Sequence, residues 1–216
     1  MLAAKFMGWG LLSAIRLLTG AQARWWGCPP KAEQRIYFAN HQSHLDLVMI
    51  WAALPQELRS ITRPIAARDY WATTPFKRWI TTEVFNAVYV ERGASAAVGQ
   101  PAIPGSAEAL APLQPLIEAL RSGDSIIIFP EGTRGNTGEP QKFKSGLFTL
   151  AQMFPEVVLV PAWIDNVQRV MPKGEVVPVP ILCSVTFGAP IRLEAGEERR
   201  PFLDRAREAV IALRDV

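Results

Sequence analysis

A histidine and an aspartate with four residues between them, in the run Asn40-His41-Gln42-Ser43-His44-Leu45-Asp46, are the pair in this 216-residue chain best suited to moving a proton. If Asp46 reaches back to one ring nitrogen of His41, the carboxylate fixes the tautomer and the other nitrogen is left as a base. General base catalysis of this kind gives about a hundred- to ten-thousand-fold, so oxyanion stabilisation must supply much of the rest. Backbone N–H groups at the start of the following helix are the expected source. Read without chemistry, His41 and Asp46 simply orient and cap that helix. A divalent metal on His41, His44 and Asp46 is a further alternative, but the chain has only these two histidines and no acidic cluster to complete a site.

About ninety residues later comes Phe129-Pro130-Glu131-Gly132-Thr133-Arg134. Pro130 and Gly132 shape a turn, and Arg134 offers a fork of donors suited to phosphate. Glu131 is expected to orient Arg134 or a substrate hydroxyl. A plain surface turn with a salt bridge would use the same residues. Further cations stand near: Lys142 and Lys144 before Gly146 and a helix start, and Arg92 closing Tyr89-Val90-Glu91-Arg92.

Both strings must be carried to one place by the elements that precede them. Arg35 to Asn40, Ile61 to Ala67, Ala87 to Glu91, Ser125 to Phe129, Val157 to Ala162 and Ile181 to Phe187 read as strands, several apolar on both faces. Helices are predicted at Leu45 to Leu54, Pro75 to Glu83, Ala107 to Arg121, Gly146 to Met153 and Pro201 to Arg214, with Pro101 to Pro115 and Pro172 to Pro180 as proline-punctuated connections. The alternation predicts an α/β domain: a mixed, largely parallel sheet with helices packed against it. In such sheets the strands' carboxyl ends carry the site, which is where both strings fall.

Residues 1–30 read as a separate N-terminal segment ahead of a domain at 31–216. Its charge-free run, Phe6 to Ile15, is ten residues, where a spanning helix needs about twenty, so an amphipathic helix lying in a membrane interface is expected. Trp25-Trp26 stand where an aromatic anchor would sit. No acid precedes Glu33, whereas Lys5, Arg16, Arg24 and Lys31 do. A cleaved secretory signal ending at Ala21-Gln22-Ala23 competes, but Arg16 interrupts its apolar region. Cys28 and Cys183 are the only cysteines and define neither a disulfide framework nor a metal site; they read as packing residues. The charged share of 20% excludes a multi-spanning membrane protein.

Together the two strings resemble the signatures of the glycerolipid acyltransferases of the lysophosphatidate acyltransferase type: a His and an Asp separated by four residues, then Glu-Gly-Thr-Arg, in the same order. The resemblance implies His41 as base, Asp46 as its partner, and Glu131, Gly132, Thr133 and Arg134 as acceptor-binding residues. Arg92 matches the arginine of the family's intermediate motif and Val160-Pro161 its final motif; Lys142 and Lys144 are expected to bind substrate with them. Where the family usually has glycines before an aromatic, this chain has Asn86-Ala87-Val88-Tyr89, which bears on the acceptor more than on the reaction.

The resemblance further implies transfer of an acyl group from acyl-CoA or acyl carrier protein to the hydroxyl of a lysophospholipid, with 1-acylglycerol 3-phosphate first among acceptors. It implies a monotopic enzyme on the cytoplasmic face of the cell membrane, with no bound cofactor, no metal and no nucleic-acid partner. Glycerol 3-phosphate or another lysolipid as acceptor, and a non-catalytic lipid-binding module, are the alternatives. A serine esterase using Ser43 is disfavoured because no Gly-x-Ser-x-Gly elbow exists.

Overall fold

The computed structural model describes residues 2–20, 22–43, 45–91, 110–135, 138–165 and 182–216. Arg92, His44 and the connection Pro172 to Pro180 lie outside them. The chain opens with helix α1 (Leu2–Thr19), strand β1 (Gln22–Trp25) and strand β2 (Arg35–Ala39), followed by α2 (Asp46–Ala53) and α3 (Gln56–Ser60). Then come β3 (Thr62–Ala67), α4 (Arg68–Trp71), α5 (Pro75–Trp79) and β4 (Val88–Val90). The second half holds α6 (Gln114–Arg121), β5 (Ser125–Ile128), α7 (Gly146–Met153), β6 (Val158–Ile164), β7 (Ser184–Phe187) and α8 (Arg199–Ile211).

The seven strands form one sheet in the order β1-β7-β6-β2-β5-β3-β4, parallel throughout except for the antiparallel β6–β7 pair. This is the mixed, largely parallel α/β architecture that the alternating pattern predicts. Strand periodicity divides the core into two layers. Tyr37, Ala39, Ile127, Val160 and Ala162 point to the side covered by α2, while Ile36, Phe38, Ile126, Ile128 and Leu159 point to the side covered by α6, α7 and α8. Because both faces are covered, β2 and β5 are buried at every position, which is why their sequence shows no polar alternation.

Several elements depart from the sequence reading. The strand Gln22–Trp25 was not expected: it is polar at Gln22 and Arg24, yet it pairs in parallel with β7 at the edge of the sheet. The sheet therefore begins before the boundary placed at residue 30, and Cys28 lies in the core. Trp25 is no interfacial anchor, since its ring stacks on Phe187 at 4.2 Å; Trp26, next in sequence, is exposed. The helix expected over Pro75 to Glu83 ends at Trp79 and continues as one π-turn, Ile80–Val84. Pro101 to Pro115 is helical at its described end, as a 3₁₀ turn over Ala111–Leu113 running into α6. The last helix starts at Arg199, two residues before Pro201, because a proline in the first turn has no hydrogen bond to lose. Asn86 takes the left-handed conformation (φ 48°), which asparagine tolerates better than most residues.

Candidate active site

Strands β2 and β5 are parallel neighbours, with Ile36 opposite Ile126 and Phe38 opposite Ile128. Their carboxyl ends therefore deliver Asn40-His41 and Phe129-Pro130-Glu131 side by side, although about ninety residues separate them in sequence. Asn40 completes the other flank. Its side-chain amide donates to the carbonyl of Ile164 at 3.0 Å and accepts the N–H of Ile164 at 2.8 Å, extending the β2–β6 pairing by one side chain.

His41 Nδ1 lies 2.9 Å from Asp46 Oδ2. The same oxygen accepts the N–H groups of Gln42 at 2.6 Å and Ser43 at 2.7 Å. An oxygen that already accepts two backbone N–H bonds is an acceptor toward the ring as well, so the imidazole donates its Nδ1 hydrogen, and in the neutral ring that tautomer leaves the lone pair on Nε2. Asp46 is the first residue of α2, where a negative charge is favoured by the helix dipole. Its second oxygen, Oδ1, is buried with no hydrogen-bond partner among the described residues. The imidazole ring is stacked on Phe129 at 4.3 Å and 18°. One side of the ring is thus fixed by a hydrogen bond and one face by an aromatic plane.

These bonds narrow where backbone N–H groups could meet an oxyanion. The N–H groups of Gln42 and Ser43 are taken by Asp46, and that of Leu45 donates to Ser43 Oγ at 3.2 Å, so none of the three is free for an oxyanion. Ser43 serves this turn and, among the described residues, forms no hydrogen bond to His41, the arrangement a serine esterase would need. Nor does any group of three His, Cys, Asp or Glu side chains among the described residues form a metal cage.

Glu131 has a different task from the one read in the sequence. It is 2% exposed, and both its oxygens are occupied by backbone donors: Oε1 accepts the N–H of His41 at 2.7 Å, and Oε2 that of Gln141 at 2.8 Å. The carboxylate is therefore a latch that ties the connection after β2 to that between β5 and α7, with the N–H of Gly135 adding a bond to the carbonyl of His41 at 2.8 Å. Burial pushes its carboxyl above the usual glutamate range, and the N–H groups of Gln141 and then His41 oppose that shift.

A cavity of about 490 Å³ opens beside His41. His41, Phe129, Gly132, Thr133 and Lys144 form its polar end, and Ile65, Leu113, Leu116, Ile128, Leu147 and Leu150 are among its apolar walls. Gly132 is required here twice over. Its φ is +71°, and a Cβ would stand 2.6 Å from Lys144 Nζ, so any side chain would displace the end of that lysine. Of the residues expected to bind substrate, Gly132, Thr133 and Lys144 line this space. Arg134 and Lys142 are exposed beyond its lining, and Glu131 is walled in behind it.

Sequence reasoning missed Phe129, Asn40 and Gln141. Phe129 was counted as a strand end, and only the adjacency of β2 and β5 makes it a platform. A signal for Asn40 was present, since a lone amide closing a buried apolar strand needs two partners; Gln141 acts through its backbone, which no side-chain pattern reveals.

The chain thus carries helices on both sides of a largely parallel sheet, with a His–Asp pair at its carboxyl edge beside an apolar cavity. The family model described as Acyltransferase matches residues 29–165, and the chain belongs to that family. Two curated relatives are called 1-acyl-sn-glycerol-3-phosphate acyltransferases. The chloroplast LPAT1 of Arabidopsis thaliana is 39% identical over 62 residues, covering 29% of this chain and 17% of that one. The alpha form of Mus musculus is 28% identical over 149 residues, covering 68% of this chain and 45% of its own. The chain thus spans less than half the length of these relatives. Among solved structures, the 1-acyl-sn-glycerophosphate (LPA) acyltransferase PlsC of Thermotoga maritima shares the fold, with a TM-score of 0.67 at 21% identity over 99% of this chain and 80% of that one.

Proposed function

We propose that this protein moves a fatty acyl group from an acyl thioester, acyl-CoA or acyl carrier protein, to the free hydroxyl of a lysophospholipid, with 1-acyl-sn-glycerol 3-phosphate as the preferred acceptor. The observation that carries this reading is the His41–Asp46 pair standing at the polar end of the apolar cavity. His41 Nε2 takes the hydroxyl proton as the oxygen attacks the thioester carbonyl. Asp46 stabilises the imidazolium through Nδ1–H, and collapse of the tetrahedral intermediate expels the thiolate, which the imidazolium reprotonates. No acyl-enzyme forms. The apolar walls suit an acyl chain, and Lys144, held over Gly132, suits the acceptor's phosphate. The relatives' printed names favour this acceptor over glycerol 3-phosphate.

The same reading places the enzyme on the cytoplasmic face of a membrane, held by α1. Ala4, Leu11, Leu12 and Ile15 turn toward the domain, while Leu2, Phe6, Trp9 and Leu17 form a second apolar stripe facing outward, with Phe6 69% and Trp9 72% exposed. No helix among the described residues is long and apolar enough to cross a membrane, which favours lying on the surface.

The test is product identification by mass spectrometry from purified protein given mixed lysolipids, glycerol 3-phosphate and both donor types. Formation of phosphatidate, lost by at least about a hundredfold in folded His41→Ala, is the expected result. A His41→Ala protein that turns over at near wild-type rate removes the mechanism, and absence of any acylated product removes the function.

A further inference from the structure

The loop Glu139 to Gln141 is gripped from two sides. On its inner side the N–H of Gln141 donates to Glu131, whose other oxygen holds the N–H of His41. On its outer side Arg207, from α8, donates through Nε to the carbonyl of Pro140 at 2.8 Å. A second guanidinium nitrogen of Arg207 lies 3.7 Å from one oxygen of Glu139, and Arg214 lies 3.7 Å from the other. The carbonyl of Pro140 and the N–H of Gln141 belong to one peptide group. That group is planar and trans, so its carbonyl and its N–H point in opposite directions, and fixing one end fixes the other. Hydrogen bonds made at both ends of one amide also polarise each other.

We propose that Arg207 is a positioning residue for the base: through the Pro140–Gln141 peptide and Glu131 it sets the backbone of His41. The C-terminal helix thereby becomes part of the catalytic apparatus, although it lies outside residues 29–165, which the family model covers. The ion pairs with Glu139 are not the cause, because they are long and partly exposed, and such pairs contribute little. What matters is the 2.8 Å bond to a carbonyl whose amide N–H is held by Glu131 on the far side.

The catalytic half of this inference rests on the acyl-transfer reading; the structural half does not. Five proteins decide it: wild type, Arg207→Ala, Arg207→Lys, Glu131→Gln, and Arg207→Ala combined with Glu131→Gln. In Arg207→Ala, kcat falls about tenfold while both KM values stay within about twofold, as expected when a base is misplaced and binding is not. Lysine, which can still donate to the Pro140 carbonyl, restores most of the rate. In the Glu131→Gln background the line is already broken, so adding Arg207→Ala costs no more than about twofold.

Amide hydrogen exchange gives a readout independent of activity. In Arg207→Ala the amides of His41 and Gln141 exchange at least about tenfold faster, while those of β2 and β5 are unchanged. Unchanged exchange at His41 and Gln141, or fully additive losses in the double variant, overturns the proposal. If wild type forms no acylated product yet these amides loosen, the contact stands and the acyl-transfer reading falls.

Discussion

Asp46→Asn separates the charge of the acid from its hydrogen bonds, and the structure lets the consequence be worked out in advance. Oδ2 carries all three bonds, from His41 Nδ1 and from the N–H groups of Gln42 and Ser43, while Oδ1 has no partner among the described residues. An asparagine can therefore place its carbonyl oxygen where Oδ2 stands and its NH₂ where Oδ1 stands, keeping every bond. The alternative flip would set an NH₂ against two backbone N–H groups and is excluded by the clash of donors. The tautomer of His41 is thus preserved, and what is lost is the charge facing the imidazolium in the transition state. Two unit charges about 4 Å apart interact by about 4 kcal/mol at an effective dielectric of about 20, which corresponds to about a thousandfold in rate. A neutral amide oxygen still accepts the bond, so a fall in kcat of about a hundred- to a thousandfold is expected, with KM little changed.

Stability should drop by about 1–3 kcal/mol, because the NH₂ that replaces Oδ1 is buried with no acceptor among the described residues, while the three donors to Oδ2 keep their partner. Asp46→Ala is the control: it leaves two backbone N–H groups unpaired, at about 1–3 kcal/mol each, and should lower the melting temperature visibly. The assay is steady-state acyl transfer with purified proteins, paired with thermal unfolding. A folded Asp46→Asn protein within about tenfold of wild-type kcat would show that the carboxylate's charge does not assist the base, and the argument from Oδ2 would be refuted.

Two further outcomes are expected. Replacing Phe6 and Trp9 with serine should reduce binding to vesicles containing anionic lipid by at least about tenfold while leaving the melting temperature unchanged, since both rings face outward; equal co-sedimentation of variant and wild type would remove α1 as the anchor. Burial pushes the Tyr37 phenol up to about 12, with Arg35 opposing, whereas an unfolded tyrosine ionises near its ordinary value of 10.0. The unfolded chain therefore gives up this proton first, so the stability is present below pH 10 and is lost as pH rises toward 12, by up to about 2–3 kcal/mol. Because the hydroxyl has no hydrogen-bond partner among the described residues, Tyr37→Phe should be neutral or slightly stabilising at pH 7 and should flatten the alkaline decline in urea midpoint. Identical slopes for the two proteins would contradict this.

The amino-acid order determined what local chemistry can write down. Runs apolar on both faces, such as Ser125-Ile126-Ile127-Ile128, could only be central strands under two helical layers. The four-residue gap from His41 to Asp46 places the carboxylate on the first turn of the next helix, within reach of the ring. These features depend on neighbours in the chain, and they survive unchanged in the folded protein.

Tertiary structure decided which distant pieces meet. Gln22–Trp25 has too little pattern to announce a strand, and it becomes one only because β7 offers an unpaired edge. Glu131 looked like a partner for Arg134, one of its neighbours in sequence, yet parallel pairing of β2 and β5 turned it toward the backbone of His41 instead. Phe129 under the imidazole, and Arg207 behind the Pro140 carbonyl, follow from the same cause. A hydrogen bond to a backbone amide leaves no mark on the identity of the residue that supplies it, so contacts of this kind are written only in the packing of the sheet and its helices.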